Sequence, residues 1–235
     1  MRLRFLLALI PCLTWAATDV VTTSQGKVSI TPIHHGSVML EIDGKIWHID
    51  PWSSGDYSSR PKADVILITD IHGDHMDPKA IAAIKKSTTV IVAPKAVAET
   101  VTEAKTVENG EKITVGGVEI ESIPMYNLKR GPEAGKLYHD KGRGNGYVLN
   151  VGNTRIYFSG DTEAIPEMKA LKDIDVAFVC MNLPYTMTPE EAAVGVKGFR
   201  PKVVYPYHYR GADLDIFVNA LKTEPGVEVR LREWY

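Results

Sequence analysis

The chain has 235 residues, of which 44% are hydrophobic and 24% charged, and its formal net charge is -2 at pH 7. This size and composition are typical of one soluble domain with a sizeable core, and they exclude a disordered or fibrous chain. A net charge this close to zero excludes an overall basic field, so we expect no nucleic acid partner, and nothing in the composition indicates a stable membrane anchor.

The N-terminus has the pattern of a secretory signal peptide. Two arginines precede an apolar stretch at residues 5–11, and small residues follow at 14–17. We therefore predict a signal peptide of residues 1–17, a mature domain of residues 18–235, and a periplasmic or secreted protein. The alternative is a lipoprotein signal ending at Cys12, which the preceding proline disfavours.

A buried-strand pattern at residues 65–68 ends in four potential metal ligands, namely Asp70, His72, Asp74 and His75. Imidazole nitrogens and carboxylate oxygens are the donors that zinc, iron or manganese take in proteins. Because such a cluster would be costly to bury unpaired, the stretch predicts a metal site. Gly73 in its middle is expected to let the loop fold back on itself.

Apolar spacing and turn residues predict strands before this stretch and alternating strands and helices after it. The expected strands are residues 27–33, 37–42, 45–49, 89–93, several between 103 and 125, 147–151, 154–159, 176–180, 203–206 and 227–231, and the expected helices are a short one from Pro78, 164–171, 189–199 and 214–221. A meander followed by β-α-β units, repeated in two halves, fits an α/β sandwich of two packed sheets with helices outside.

A glycine-rich loop at residues 126–146 carries a net charge of +3 between Asn127 and Asn145, on an otherwise acidic chain. This excess predicts an anionic small-molecule substrate, with Lys141 and Arg143 among its contacts. Solvated surface charge is the alternative interpretation.

The ligand stretch resembles the signature of the metallo-β-lactamase superfamily, Thr-His-x-His-x-Asp-His, with Asp70 in place of the first histidine. Three later landmarks match in order: a loop histidine, His139; the Gly-Asp-Thr sequence at 160–162; and His208 after a final core strand. The resemblance implies an αββα sandwich of two mixed sheets with helices on the outer faces. It also implies that all candidate ligands lie at one edge of the sheets.

The same resemblance implies a binuclear metal centre. One ion would be held by His72 and His139, with Asp70 at the position of the missing histidine, the other by Asp74, His75 and His208, with Asp161 between the two. Asp50 would brace the ligand loop by hydrogen bonding. Two divalent ions are expected, zinc first; the hard oxygen of Asp70 shifts the preference towards manganese or iron.

The implied chemistry is hydrolysis of an ester, lactone or phosphodiester by a metal-bound hydroxide, with Asp74 and Asp161 as catalytic carboxylates. Tyr185, Tyr209 and His35 are candidates for contacting the substrate and protonating its leaving group. The motifs resemble the branch that contains the L-ascorbate-6-phosphate lactonase and phospholipase D-like enzymes. Two other functions stay open, a mononuclear iron oxygenase of the same superfamily and a non-catalytic metal-binding protein.

Overall fold

Residues 18–235, which the computed structural model describes, form fourteen strands and five helices. The strands are β1 (Asp19–Thr23), β2 (Gly26–His34), β3 (Ser37–Ile42), β4 (Lys45–Ile49), β5 (Val65–Leu67), β6 (Val90–Ala93), β7 (Lys105–Thr106), β8 (Lys112–Val115), β9 (Val118–Met125), β10 (Gly144–Val151), β11 (Thr154–Phe158), β12 (Val176–Cys180), β13 (Val203–Tyr207) and β14 (Glu228–Val229). The helices are α1 (Pro78–Ile84), α2 (Lys95–Ala98), α3 (Pro166–Lys169), α4 (Pro189–Phe199) and α5 (Leu214–Leu221). The expected signal peptide, residues 1–17, lies outside the described residues.

The strands form two seven-stranded sheets built on the same plan. In the first sheet β1 to β4 pair antiparallel and β4 to β7 pair parallel. In the second sheet β8 to β11 pair antiparallel and β11 to β14 pair parallel. The predicted architecture of two mixed sheets, with a meander and parallel units repeated in each half, is confirmed.

Strand β5 shows how the layers stack. Val65 and Leu67 belong to the large core cluster that contains residues of both sheets. Ile66 and Ile68 belong to a separate cluster with Ile81 of α1. Because successive side chains of a strand point to opposite faces, β5 is buried on both, which explains its continuous apolar run.

Two expected elements differ from the structure. The helix expected at 164–171 is reduced to α3, because Pro166 disfavours helical geometry in the preceding residue and Ile165 is extended. The loop expected to reach residue 146 ends earlier, since Gly144 and Gly146 already belong to β10. A Cβ on Gly146 would lie 2.9 Å from the carbonyl oxygen of Phe158, so close backbone approach requires glycine there.

The helices are short and lie between strands. The longest of them in residues 18–235, α4, has 11 residues. Within that range no helix is both long and apolar enough to cross a membrane.

The predicted start of α4 is confirmed and gives a test of local stability. Oγ1 of Thr188 accepts a hydrogen bond from the Glu191 amide at 3.2 Å, and the Glu191 carboxylate accepts one from the Thr188 amide at 2.9 Å. Thr188→Ala removes the first of these, so we expect a loss of about 1 kcal/mol in the free energy of unfolding by urea. Glu190→Gln, at an exposed site in the same turn, should change it by less than about 0.5 kcal/mol. Equal stability of the two variants would contradict the capping role.

Candidate metal centre

The predicted ligands come together where parallel strands of both sheets end. The stretch from Asp70 to His75 follows β5, Asp161 follows β11, and His208 follows β13. His139 is delivered by the loop that precedes β10. The carboxyl ends of parallel strands are the usual place for a ligand site in open α/β sheets.

The first group of candidate ligands consists of Asp70, His72 and His139, whose donor atoms all lie within 4.8 Å of one another. Oδ2 of Asp70 is 2.5 Å from Nδ1 of His72 and 3.8 Å from Nε2 of His139. His72 and Asp70 are close, but they are not aligned for a hydrogen bond. Both carboxylate oxygens of Asp70 therefore remain without a hydrogen-bond partner. The side chains of Asp70, His72 and His139 thus direct their donor atoms to one small space.

The second group of candidate ligands consists of Asp74, His75 and His208, with Asp161 beside them. Nε2 of His208 lies 3.4 Å from Oδ2 of Asp74 and 3.4 Å from Oδ1 of Asp161. Nε2 of His75 lies 3.5 Å from Oδ2 of Asp161 and 4.0 Å from Oδ1 of Asp74. His75, Asp161 and His208 present donor atoms within 4.8 Å of one another, and the carboxylate of Asp74 approaches both histidines, so these four side chains direct donor atoms to one space that suits a cation.

Asp161 lies between the two groups. Its Oδ1 faces His208, while its Oδ2 faces His75 and also His139, at 3.4 Å from Nε2 of the latter. Asp161 therefore belongs to the surroundings of both groups, as a carboxylate between two cations would.

Several buried polar atoms of the cluster form no hydrogen bond with the described residues. They are both carboxylate oxygens of Asp70, Nε2 of His75, Oδ1 of Asp161 and both ring nitrogens of His208. Leaving so many buried donors and acceptors unpaired is costly, and a bound cation would satisfy the carboxylate oxygens and the inward imidazole nitrogens together. The donor set of imidazoles and carboxylates fits a divalent metal.

The ionisation of the buried carboxylates also favours a cation in the cluster. Burial alone would raise the pKa of Asp161, but the imidazoles of His208 and His75 outweigh it and hold that pKa well below its usual value. Burial also opposes ionisation of Asp70, yet its contact with His72 and the imidazoles of His75 and His139 lowers its pKa to about 2. At neutral pH the cluster thus contains ionised, buried carboxylates that need positive charge beside them.

Asp50 orients one of the candidate ligands. Its Oδ2 accepts a hydrogen bond from Nδ1 of His75 at 2.8 Å, while its Oδ1 accepts one from the Thr69 amide at 2.7 Å. In the neutral ring this hydrogen bond places the proton on Nδ1, so the lone pair of Nε2 is directed towards the cluster. Asp50 is thus placed to brace the ligand loop.

Asn127 does the same for His139, although nothing in the sequence singled it out. Its Oδ1 accepts hydrogen bonds from the His139 amide at 2.9 Å and from Nδ1 of that ring at 2.6 Å. This arrangement turns Nε2 of His139 towards Asp70 and Asp161. An isolated asparagine in a loop carries no sequence signal of such a role.

The ligand loop itself closes through its backbone. The amides of His75 and Met76 both donate to the His72 carbonyl, at 3.0 and 2.8 Å. Gly73 is not in the left-handed region, and a Cβ there would meet open space. The expectation that the turn needs a glycine at this position is therefore wrong.

A cavity of about 510 Å³ opens beside the cluster. Besides His72, Asp74, His139 and Asp161, it is lined by Trp52, Gly73, Tyr138, Asn182, Tyr185 and Arg210. Of the expected substrate contacts, Tyr185 lines the cavity, whereas His35, Lys141, Arg143 and Tyr209 do not. Trp52, Tyr138 and Arg210 could not be singled out as cavity residues from the sequence. Tyr138 and Arg210 lie within two residues of His139 and His208, which was their only signal.

The basic loop does not supply free positive charge to this cavity. Each of its five cations has a carboxylate within 4.0 Å: Lys129 and Arg130 at Glu191, Lys136 at Glu133, Lys141 at Glu167 and Arg143 at Asp70. Lys141 binds Glu167 outside the cavity, at 2.7 Å, and so does not occupy the position expected of it. Arg143 lies behind Asp70, its Nε 3.4 Å from Oδ1.

Comparison with known proteins places this geometry in a family context. Residues 29–208 match the family profile of the beta-lactamase superfamily domain. The chain is 32% identical over 219 residues to a UPF0173 metal-dependent hydrolase of Symbiobacterium thermophilum, covering 81% of this chain and 86% of that protein.

Solved structures of metal-dependent hydrolases have the same fold. A candidate metal-dependent hydrolase from Parabacteroides distasonis superposes with a TM-score of 0.88 at 44% identity, covering 94% of this chain and 100% of that one. Igni18, a metallo hydrolase of Ignicoccus hospitalis, superposes with a TM-score of 0.74 at 24% identity, covering 88% and 95%, a likeness of fold alone.

The role of Asp50 gives a test of metal binding. Asp50→Asn puts an amide beside Nδ1 of His75, which disrupts the hydrogen bond that fixes the tautomer of this ring, so we expect metal affinity to fall by about 10- to 100-fold. Chelator competition measures the change. Asp64→Asn is the matched control, because Asp64 lies at the other end of β5 and binds the Ile46 amide and Lys86. Equal affinities of all three proteins would remove Asp50 from the support of the site.

Proposed function

Because the chain belongs to the metallo-β-lactamase superfamily and is a metal-dependent hydrolase, we propose that it cleaves an ester, lactone or phosphodiester of an anionic substrate at a binuclear metal centre. The observation that carries this proposal is the pair of donor groups that meet at Asp161 beside a cavity.

Each group is proposed to hold one divalent ion. Asp70, His72 and His139 would hold the first, and Asp74, His75 and His208 the second, with an oxygen of Asp161 towards each. When bound, such ions would supply an activated water at neutral pH and would polarise the carbonyl or phosphoryl oxygen of the substrate. Zinc is the first candidate for both ions, because imidazole and carboxylate donors suit it, and the hard oxygen of Asp70 makes manganese or iron an alternative at the first group.

Residues of the chain would orient the water and the substrate and would protonate the leaving group. Asp74 and Asp161 line both the cluster and the cavity, so they are placed to orient water and substrate beside the ions. Tyr185 is the candidate donor to the leaving group, because its side chain is 39% exposed and lines the cavity. Tyr209 packs its ring against Tyr235 instead, with centroids 5.0 Å apart.

Arg210 supports an anionic substrate. Arg210 is exposed and lines the cavity, and within residues 18–235 no carboxylate lies within ion-pair distance of its guanidinium. The aromatic walls of Trp52, Tyr138 and Tyr185 would accommodate a flat or apolar part of the same molecule. Arg143 would fix Asp70 and offset its charge, rather than contact substrate.

His208→Ala and Asp161→Ala are expected to abolish hydrolysis while the protein stays folded, because each removes a candidate ligand rather than core volume. Activity is measured against a panel of phosphodiesters, lactones and esters with zinc, manganese and iron compared, and folding by circular dichroism. The control is His48→Gln, which changes a buried imidazole that bonds the Pro61 carbonyl instead of the cluster. Wild-type turnover in either ligand variant would contradict the assignment.

The source of the positive charge gives a further test. Arg210→Gln is expected to raise KM for the best anionic substrate of the panel by about 10-fold or more with little change in kcat, since it removes a charge-assisted contact made before and during reaction. Lys141→Gln, which changes a cation paired with Glu167, should leave KM unchanged. A larger effect of Lys141→Gln than of Arg210→Gln would overturn this placement.

A further inference from the structure

We propose that His35 is an additional ligand of the second metal ion, and that Tyr235 holds its ring in the binding orientation. This inference rests on the proposed binuclear centre. The donor atoms of His35, Asp74 and His208 form a third group within 4.8 Å of one another, which shares two members with the ligands already proposed. Nε2 of His35 is 3.2 Å from Oδ2 of Asp74, the same oxygen that His208 approaches at 3.4 Å.

The position of His35 fits a ligand better than a contact to substrate. Its side chain is 0% exposed, and it is not among the residues that line the cavity. A leaving group in the cavity is therefore out of its reach. Its ring lies against that of His208, with centroids 3.6 Å apart, and it belongs to a donor group that does not contain Asp70.

Tyr235 fixes the outer nitrogen of this ring. Its hydroxyl oxygen is 2.6 Å from Nδ1 of His35 and accepts a hydrogen bond from the Arg210 amide at 2.7 Å. A hydroxyl oxygen can accept two hydrogen bonds, so it can also accept the Nδ1 proton of His35. In that tautomer Nε2 presents its lone pair to the cluster, as metal-bound histidines do when their other nitrogen is held.

The backbone keeps the two neighbouring histidines in place. His35 and His208 both have a left-handed conformation, with φ of 55° and 48°. The His208 amide donates to the His35 carbonyl at 3.0 Å, and the His35 amide donates to the Trp234 carbonyl at 2.8 Å. Such costly conformations persist where the surroundings over-determine them, which is typical of functional sites.

A fifth donor has a consequence for the metal. With His35, the second ion would be surrounded by Asp74, His75, Asp161 and His208 as well, one donor more than the four of a tetrahedral zinc site. Five nitrogen and oxygen donors suit a metal of higher coordination number, such as manganese or iron.

The test compares cobalt-loaded wild-type protein with His35→Gln and Tyr235→Phe. Glutamine can still donate a hydrogen bond to Asp74 but is a poor ligand, so it separates the two roles. His35→Gln should weaken the second metal by about 10- to 100-fold in chelator competition and remove one hyperfine-shifted imidazole N–H signal from the proton NMR spectrum. Tyr235→Phe, which keeps the ring, should keep the signal count and weaken the metal less.

His48→Gln is the matched control, because His48 is a buried imidazole that bonds the Pro61 carbonyl and belongs to none of the three donor groups. Wild-type affinity and an unchanged signal count in His35→Gln would overturn the proposal and leave His35 as a hydrogen-bond donor to Asp74. Wild-type protein that binds fewer than two ions would instead contradict the binuclear centre itself. If His35→Gln does not fold, Tyr235→Phe decides, since unchanged affinity in that variant contradicts the positioning role.

Discussion

The site depends on the burial of several ionised carboxylates around one point. Asp161 is at its centre, with one oxygen towards His208 and the other towards His75 and His139. Asp70 and Asp74 add negative charge on either side of it. Charges of one sign cannot share a buried space unless positive charge compensates them, and in this cluster imidazolium groups or a bound metal ion would supply it. Both sheets contribute, because their parallel strands end at the same edge.

The outer contacts explain how that arrangement stays fixed. Asp50 holds His75, Asn127 holds His139, and Tyr235 lies against His35, each at the nitrogen facing away from the cluster. Arg143 lies behind Asp70 in the same way. A carboxylate in place of an imidazole brings a negative charge to the first group, and Arg143 offsets part of it. The pairing gives a physical reason why this chain tolerates Asp70 where the superfamily signature has histidine.

The sequence predicted those features of the fold that neighbouring residues determine. The buried run of β5 and the start of α4 could be predicted, because side-chain periodicity and backbone chemistry determine them directly. The two-sheet topology could not be selected by periodicity and came from the motif resemblance. The partners of the cations in the basic loop could not be predicted, because most of them are carboxylates distant in sequence, such as Glu167 for Lys141. Tyr235 and His35, 200 residues apart, meet only in the folded chain.

Anomalous diffraction from crystals of the metal-loaded protein tests the central claim most directly. The account predicts two anomalous peaks about 3.5–4 Å apart, with Asp161 between them. One peak would lie among Asp70, His72 and His139, and the other among Asp74, His75 and His208. A single peak, or peaks away from Asp161, would contradict the binuclear centre.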